Sequence, residues 1–212
     1  AGSPGAVAFS DGDHLLVGGQ DGTVQSCDRS AVPISCEIVA TELTRGPWDR
    51  RFQHGGPVAA LLVRAMEREL SGERARLARV VVELARPAPI APCRVSARVE
   101  HAGRRVATLS AEMQEAGRLV ARARALFVRE RVLDAPATER EPLEPQPDQS
   151  PVLSLPFFVE PIGYHTAMEI RHARGEFGTG RMACWMRMRV PLVAAVAISA
   201  SARVLDAADS GN

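Results

Sequence analysis

The sequence predicts an α+β fold in which an antiparallel sheet wraps round one long helix. Apolar residues recur at helical spacing from Pro57 to Leu70, which predicts a helix with one wholly apolar face. Four β-rich segments follow between Leu77 and Glu130. A β-rich run from Ile34 to Leu43 precedes the helix. A short strand, a long helix and then successive strands is the arrangement of a hotdog domain.

Two of the four segments after the helix, Cys93–Glu100 and Arg118–Glu130, alternate between apolar and polar residues, as strands with one buried face do. The predicted bounds of all four are Leu77–Arg86, Cys93–Glu100, Arg104–Glu115 and Arg118–Glu130. In the last of them Arg122 and Arg124 share one face, whereas the other face carries Leu119, Ala121, Ala123, Ala125 and Phe127. The arginine-bearing face is therefore expected to meet solvent, and the alanine-bearing face to meet the helix.

Composition limits the classes of function. The 212 residues are 46% hydrophobic, and the formal net charge is only +1. All bases are arginines spread along the chain, so we expect neither a nucleic-acid partner nor a membrane partner. No run approaches the ~18 apolar residues that a membrane helix needs, and no charged leader precedes an apolar run. We therefore expect a cytoplasmic protein.

Cysteine and histidine spacing predicts neither a metal nor a cofactor. The four cysteines form no C-x-x-C pair, so free thiols are expected in an intracellular chain. The five histidines show no pair at helical ligand spacing and no accompanying carboxylate cluster.

The entry to the long helix contains the first candidate site. Pro57 suits the first helical position, because its fixed φ is preorganised and its missing N–H would be unpaired there. Gly55 and Gly56 would then lie at the positive helix end, where free N–H groups favour an anion or a polarised carbonyl. Alternatively, the two glycines only form a tight turn. Similarly, His54 either binds substrate or caps that turn.

The remainder of the chain divides into further segments. Residues 1–35 read as a leader of unclear structure, although Leu15 to Val24 could form a hairpin. Residues 36–133 form the N-terminal hotdog domain, and the proline-rich residues 134–156 form a linker. Residues 157–212 repeat the order of strand and then helix. They predict the start of a second hotdog domain, which makes a tandem repeat whose second copy is incomplete.

Several motifs together resemble a known family. Thr44-Arg45-Gly46-Pro47-Trp48-Asp49, followed by Gln53-His54-Gly55-Gly56-Pro57, resembles the acyl-CoA thioesterases of double-hotdog type, the thioesterase II group. Cys184 to Arg189 and Ala208 to Asn212 resemble the strand and the active-site helix region of that family's second domain. The resemblance covers roughly residues 36 to 212.

The resemblance implies hydrolysis of an acyl-CoA thioester at the junction of two hotdog repeats. Asp209 matches the family's catalytic aspartate, which works with a Thr or Ser and a Gln from later strands to activate water. Those partners would lie beyond Asn212, so we expect little turnover from the 212-residue chain. The residue types fit this chemistry independently, because a carboxylate can accept a proton from water. Asp209 could instead be a solvated or capping residue.

Two other functions remain open at this stage. A hotdog hydratase or dehydratase would need an Asp and a His close together, and the sequence around Asp209 contains no such pair. A non-catalytic acyl-CoA-binding or assembly protein would keep the fold without the chemistry. We also expect a homo-oligomer, because the strands of an incomplete repeat would leave unpaired edges.

Overall fold

The fold is taken from a computed structural model. It describes residues 35–70, 75–132, 134, 136, 142–194 and 196–210 in full, with the backbone of Gly211 and of three strands before residue 35. The rest of the predicted leader and residues 133, 135 and 137–141 of the chain around the predicted linker lie outside the described residues.

The described elements alternate between strands and a few helices. The strands are β1 (Val7–Ser10), β2 (His14–Gly18), β3 (Val24–Asp28), β4 (Ser35–Val39), β5 (Ala75–Leu84), β6 (Pro92–Ala102), β7 (Val106–Glu115), β8 (Arg118–Arg129), β9 (Met168–Glu176) and β10 (Arg181–Met188). The helices are α1 (Gly55–Glu69), the single turn α2 (Tyr164–Ala167) and α3 (Ala200–Ala208). Short 3₁₀ turns lie at Glu42–Thr44 and Asp209–Gly211.

Eight strands form one antiparallel sheet in the order β1-β2-β3-β4-β6-β7-β8-β5. Helix α1 connects β4 to β5, which lies at the far edge of the sheet beyond β8. The helix packs against β6, β7 and β8. The predicted α+β hotdog fold is therefore confirmed, because the sheet wraps round α1.

Helix α1 begins at Gly55, two residues before the predicted start at Pro57. The difference arises at His54, whose ring nitrogen Nδ1 accepts a hydrogen bond from the N–H of Gly56 at 3.1 Å. A side chain before the first turn that pairs one of its free N–H groups acts as a cap. The predicted apolar face is buried, and Leu62 and Val63 are both fully buried.

Strand β8 departs from strict alternation at Val120. The register with β7 shifts between Met113 and Gln114, and both Val120 and Ala121 are buried. A bulge inserts one residue and so turns two neighbouring side chains toward the same side. Beyond it Ala123, Ala125 and Phe127 face the core as predicted.

The region predicted as a leader adds strands to the sheet. β1, β2 and β3 pair in succession, and β3 pairs with β4. The backbone of β2 and β3 includes the predicted Leu15 to Val24 hairpin, whose turn lies outside the described residues. Cys36 on β4 is disulfide-bonded, so the expectation of a free thiol is wrong there, whereas Cys93 and Cys184 are free.

Residues 157–194 form a hairpin with its own small core. β9 and β10 pair as a separate two-stranded sheet, and the single helical turn α2 (Tyr164–Ala167) directly precedes β9. Tyr164, Met168 and Ile170 are its buried centre. The buried Glu169 binds Arg171 and Arg187, and these two guanidinium groups lower the pKa of its carboxyl to about 2.

Helix α3 runs antiparallel to α1 and packs against it. Its capping residue Ser199 donates a hydrogen bond to Glu67 near the end of α1, at 2.6 Å. At the other end, Gly55 donates to Asp209. A side chain at Gly56 would place its Cβ 2.0 Å from the carbonyl oxygen of Asp206, so the helices meet this closely only because residue 56 is glycine.

One acidic side chain is enclosed where the two helices meet. Asp206 is only 2% exposed, and within the described part of the chain its Oδ1 has no hydrogen-bond partner. Burial raises the pKa of Asp206 from 3.8 to about 7, because the charged form loses its hydration. The native state therefore favours the protonated carboxyl.

Replacing Leu62 with alanine should lower the free energy of unfolding by ~2–5 kcal/mol, because this fully buried side chain would leave a cavity. Urea unfolding followed by circular dichroism measures the change. Leu84→Ala on β5, where Leu84 is exposed, is the matched control and should change it by less than ~0.5 kcal/mol. An equally small effect at Leu62 would mean that α1 is not the core helix.

The buried Asp206 should make the protein lose stability as pH rises from about 4 to about 7. Below this window the carboxyl is neutral in both states, and within it only the unfolded chain ionises freely. At about 1.4 kcal/mol per pKa unit, the loss is at most about 4 kcal/mol. In urea unfolding, Asp206→Asn should remove the decrease in the free energy of unfolding between about pH 4 and about pH 7. Asp148→Asn, at an exposed site, should keep this decrease. Identical pH profiles for Asp206→Asn and the wild type would contradict this.

Candidate functional site

The structure brings all four predicted site residues together at the N-terminus of α1. His54 precedes the helix, Gly55 and Gly56 form its first turn, and Asp209 arrives at the end of α3. The N–H of Gly55 donates to Asp209 Oδ2 at 3.1 Å, and His54 Nδ1 lies 3.3 Å from the same oxygen. We call this group the His54–Asp209 site.

Two features of the fold hold Asp209 in place. The antiparallel packing of α3 on α1 puts the last turn of one helix beside the first turn of the other. The carboxylate thus lies at the positive end of the α1 dipole, where a negative charge is stabilised. Its side chain is 31% exposed, compared with 10% for His54, so water can reach Asp209.

The protonation state of His54 follows from its contacts. Burial lowers the pKa of the imidazole, and the nearby Asp209 carboxylate opposes this effect only in part. In the neutral ring, Nδ1 accepts from Gly56, which places the proton on Nε2. His54 therefore offers an Nε2–H donor, whereas its Nδ1 and Asp209 each accept from α1.

The predicted substrate-binding role of Gly55 and Gly56 stays a prediction. Both N–H groups donate inside the protein, one to Asp209 and the other to His54. A Cβ at Gly55 would lie 2.7 Å from Asp209 Oδ2, so the absent side chain also makes room for the carboxylate.

Tyr164 supports the site and was missed by the sequence analysis. Its ring is parallel to that of His54, with centroids 3.9 Å apart. Its hydroxyl donates to the carbonyl oxygen of Asp206 at 2.7 Å and lies 3.2 Å from Ser210 Oγ. Burial raises the pKa of Tyr164 above its usual value, so the phenol stays protonated. The only sequence signal was that Tyr164 is the sole tyrosine.

An aromatic surface adjoins the His54–Asp209 site. The Trp48 side chain is 90% exposed, and its ring is parallel to that of Phe157, with centroids 6.3 Å apart. Phe157 contacts Phe158 and Phe177, and Phe158 lies between His54 and His165. A cavity of about 220 Å³ opens beside Trp48 and Phe158.

The described residues contain neither a metal-ligand group nor a membrane-spanning helix. No group of three or more His, Cys, Asp or Glu side chains there is arranged to hold a metal ion. No helix in that part of the chain is both long enough and apolar enough to cross a membrane.

Comparison with known proteins agrees with this fold. Residues 44–128 match the family model described as the acyl-CoA thioesterase N-terminal domain. No curated protein sequence matches the chain.

Two solved structures are similar over most of the chain. A hotdog-fold protein of unknown function from Alicyclobacillus acidocaldarius is 18% identical, with a TM-score of 0.59 over 96% of this chain and 66% of that one. A candidate thioesterase from Novosphingobium aromaticivorans is 22% identical, with a TM-score of 0.64 over 86% of this chain and 70% of that one. The matches thus span about two thirds of the length of these structures, and at such identities the likeness shows the fold alone. Residues 44–128 are thus similar to an acyl-CoA thioesterase domain, and the sheet wrapped round α1 gives the chain the hotdog fold.

Proposed function

We propose that this chain carries the catalytic carboxylate of a protein that hydrolyses an acyl-CoA thioester to the free acid and CoA. The observation that carries the proposal is a carboxylate open to water, Asp209, anchored 3.1 Å from the first N–H of α1 and beside His54. A carboxylate positioned in this way can act as a general base. The match of residues 44–128 to the acyl-CoA thioesterase domain supports acyl-CoA as the substrate.

In the proposed mechanism, Asp209 takes a proton from water as the water oxygen attacks the thioester carbonyl carbon. The new C–O bond leaves a negative oxygen, to which the Nε2–H of His54 donates a hydrogen bond. Collapse of this intermediate breaks the C–S bond, and Asp209 passes the proton that it took from water to the departing thiolate. Hydrogen-bond donors aimed at a developing oxyanion are often the largest contribution to such catalysis.

The glycines have a positioning role in this proposal. Gly55 holds Asp209 by its N–H, and Gly56 holds His54 Nδ1, which keeps the proton of the imidazole on Nε2. Without the Gly56 bond, either nitrogen of the neutral ring could carry the proton. The first turn of α1 thus orients both acting side chains.

Hydration of an unsaturated acyl thioester is a second candidate, favoured by one observation. A hydratase needs an Asp and a His close together, and tertiary packing places His54 Nδ1 3.3 Å from Asp209 Oδ2, although the residues are distant in sequence. The products separate the two reactions. With a 2-enoyl-CoA substrate, hydrolysis releases a free thiol, whereas hydration removes the enoyl absorbance and releases none.

The domain arrangement is also part of the proposal. We propose that residues 157–212 belong to a second hotdog repeat, which contains β9, β10 and α3. A cytoplasmic location and self-association complete the proposal.

In a version of the protein with both repeats complete, replacing Asp209 with asparagine should lower kcat for CoA release by roughly 10²–10⁴-fold, because the variant keeps the shape but loses the proton acceptor. KM should change little, since the carboxylate acts on water. Release of CoA can be followed with a thiol reagent across acyl chain lengths, with the exposed Asp148→Asn as control. Hydrolysis unaffected by Asp209→Asn would contradict this assignment, and acyl-CoA binding without any CoA release would favour a non-catalytic binding protein.

Self-association should appear as a solution mass above the 22.8 kDa of one chain. β5 is an edge strand with Val81 and Leu84 exposed, and exposed apolar edges favour pairing with other chains. Light scattering coupled to size exclusion measures the mass. Val81→Arg should weaken the association, and a monodisperse monomer at high concentration would contradict the expectation.

A further inference from the structure

Aromatic residues are concentrated on one side of the His54–Asp209 site. The chain has six phenylalanines, two tryptophans and one tyrosine. Five of these nine form one connected group of rings, which we call the aromatic cluster: Trp48, Tyr164, Phe157, Phe158 and Phe177. Trp48 and Phe177 of this cluster are exposed, Phe157 and Phe158 are half-buried, and Tyr164 is buried.

The cluster forms part of the wall of a cavity of about 220 Å³. Trp48 and Phe158 contribute apolar faces to this cavity, and His165 and Arg45 contribute polar groups. Within the described part of the chain, the buried Nδ1 of His165 has no hydrogen-bond partner. The lining mixes these rings with ionisable side chains, because Asp49, Arg50 and Glu160 also border the cavity. We call it the aromatic cavity.

The aromatic cavity lies one ring away from the proposed reaction centre. Phe158 has its ring centroid 6.5 Å from that of His54 and 4.7 Å from that of His165, which itself lines the cavity. A group held there would therefore be the part of the substrate next to the thioester. The acyl group meets this condition, whereas the adenine of CoA is separated from the thioester by the long pantetheine arm.

The charges of the cavity walls are largely neutralised within the protein. Arg45 is buried, binds Glu42 at 2.7 Å and lies 3.9 Å from Glu160. Asp49 binds Arg51 at 2.7 Å. Arg50 lies exposed at the rim. Because phosphates require available cations, only the Arg50 side of the cavity suits a phosphate, and the side of Trp48 and Phe158 suits an uncharged ring.

We propose that the aromatic cavity binds a planar ring in the acyl group, so that arylacyl thioesters are the preferred substrates. The inference rests on the proposed function, whose site it extends. Flat faces of Trp48 and Phe158 would stack on such a ring, and aromatic stacking adds to the burial of apolar area. A straight alkyl chain gains the burial but not the stacking.

Binding can be tested without hydrolysis in the Asp209→Asn background. Isothermal titration should give tighter binding of phenylacetyl-CoA than of octanoyl-CoA, which has the same number of acyl carbons. Trp48→Ala should weaken phenylacetyl-CoA binding roughly three- to tenfold and octanoyl-CoA binding less. Trp48→Phe, which keeps a ring, should retain most of the affinity. Val132→Ala, at an exposed apolar side chain outside the cavity, should have no effect.

Four results would overturn the inference. The first is equal affinity for the two acyl-CoAs, and the second is an unchanged affinity in Trp48→Ala. The third is that Trp48→Ala weakens the binding of free CoA as much as that of phenylacetyl-CoA. The fourth is that Trp48→Ala changes the oligomeric state and leaves the ligand affinity unchanged. The third would mean that the cavity holds the nucleotide, and the fourth that the cluster is an interface between copies.

Failure of this inference can be told apart from failure of the proposed function. Equal kcat/KM for phenylacetyl-CoA and octanoyl-CoA would retain the thioesterase and reject the ring preference. Tighter binding of phenylacetyl-CoA without CoA release from either compound would retain the ring preference and reject the thioesterase.

Discussion

The structure depends on the close approach of α3 to the first turn of α1. A Cβ at Gly56 would stand 2.0 Å from the carbonyl oxygen of Asp206, and one at Gly55 would stand 2.7 Å from Asp209 Oδ2. Any side chain at residue 56 would force the helices apart and withdraw Asp209 from the N–H that binds it. The same contact buries Asp206 and brings its carbonyl to Tyr164. Fold and site therefore share one steric constraint.

That contact gives two carboxyls on one helix opposite environments. Asp206 is enclosed between the helices, where burial raises its pKa to about 7. Asp209, one turn later, accepts an N–H bond at the positive end of α1 and is open to water. Proton-transfer sites commonly contain such pairs, because a carboxylate and a neutral acid perform different tasks. Here Asp206 packs between the two helices. Its main-chain carbonyl accepts a hydrogen bond from Tyr164, and the ring of His54 stacks on that tyrosine.

Sequence patterns predicted the parts of the fold that depend on local periodicity. The apolar face of α1 and the alternation in β6 to β8 follow from neighbouring residues, apart from the bulge at Val120. The Gly55-Gly56 pair and Asp209 were recognised by motif, and their meeting depends on the packing of α3 on α1. The roles of Tyr164 and Asp206 could not be predicted, because neither has a local signal and both depend on contacts between distant segments. The connected rings of the aromatic cluster likewise come from two segments, residues 48 and 157–177.

In the two proposals, hydrolysis takes place on one side of Phe158 and recognition of the acyl group on the other. On one side, Asp209 needs contact with water, and its side chain has that contact. On the other, a ring bound in the aromatic cavity would contact Trp48 and Phe158, which line it. The His54 ring lies between them, held by Tyr164 on its face and by Gly56 at Nδ1. A ring bound in the cavity would cover the half of the site that faces the cluster and leave Asp209 open. The water that attacks would then approach from the side of α3, opposite the acyl group.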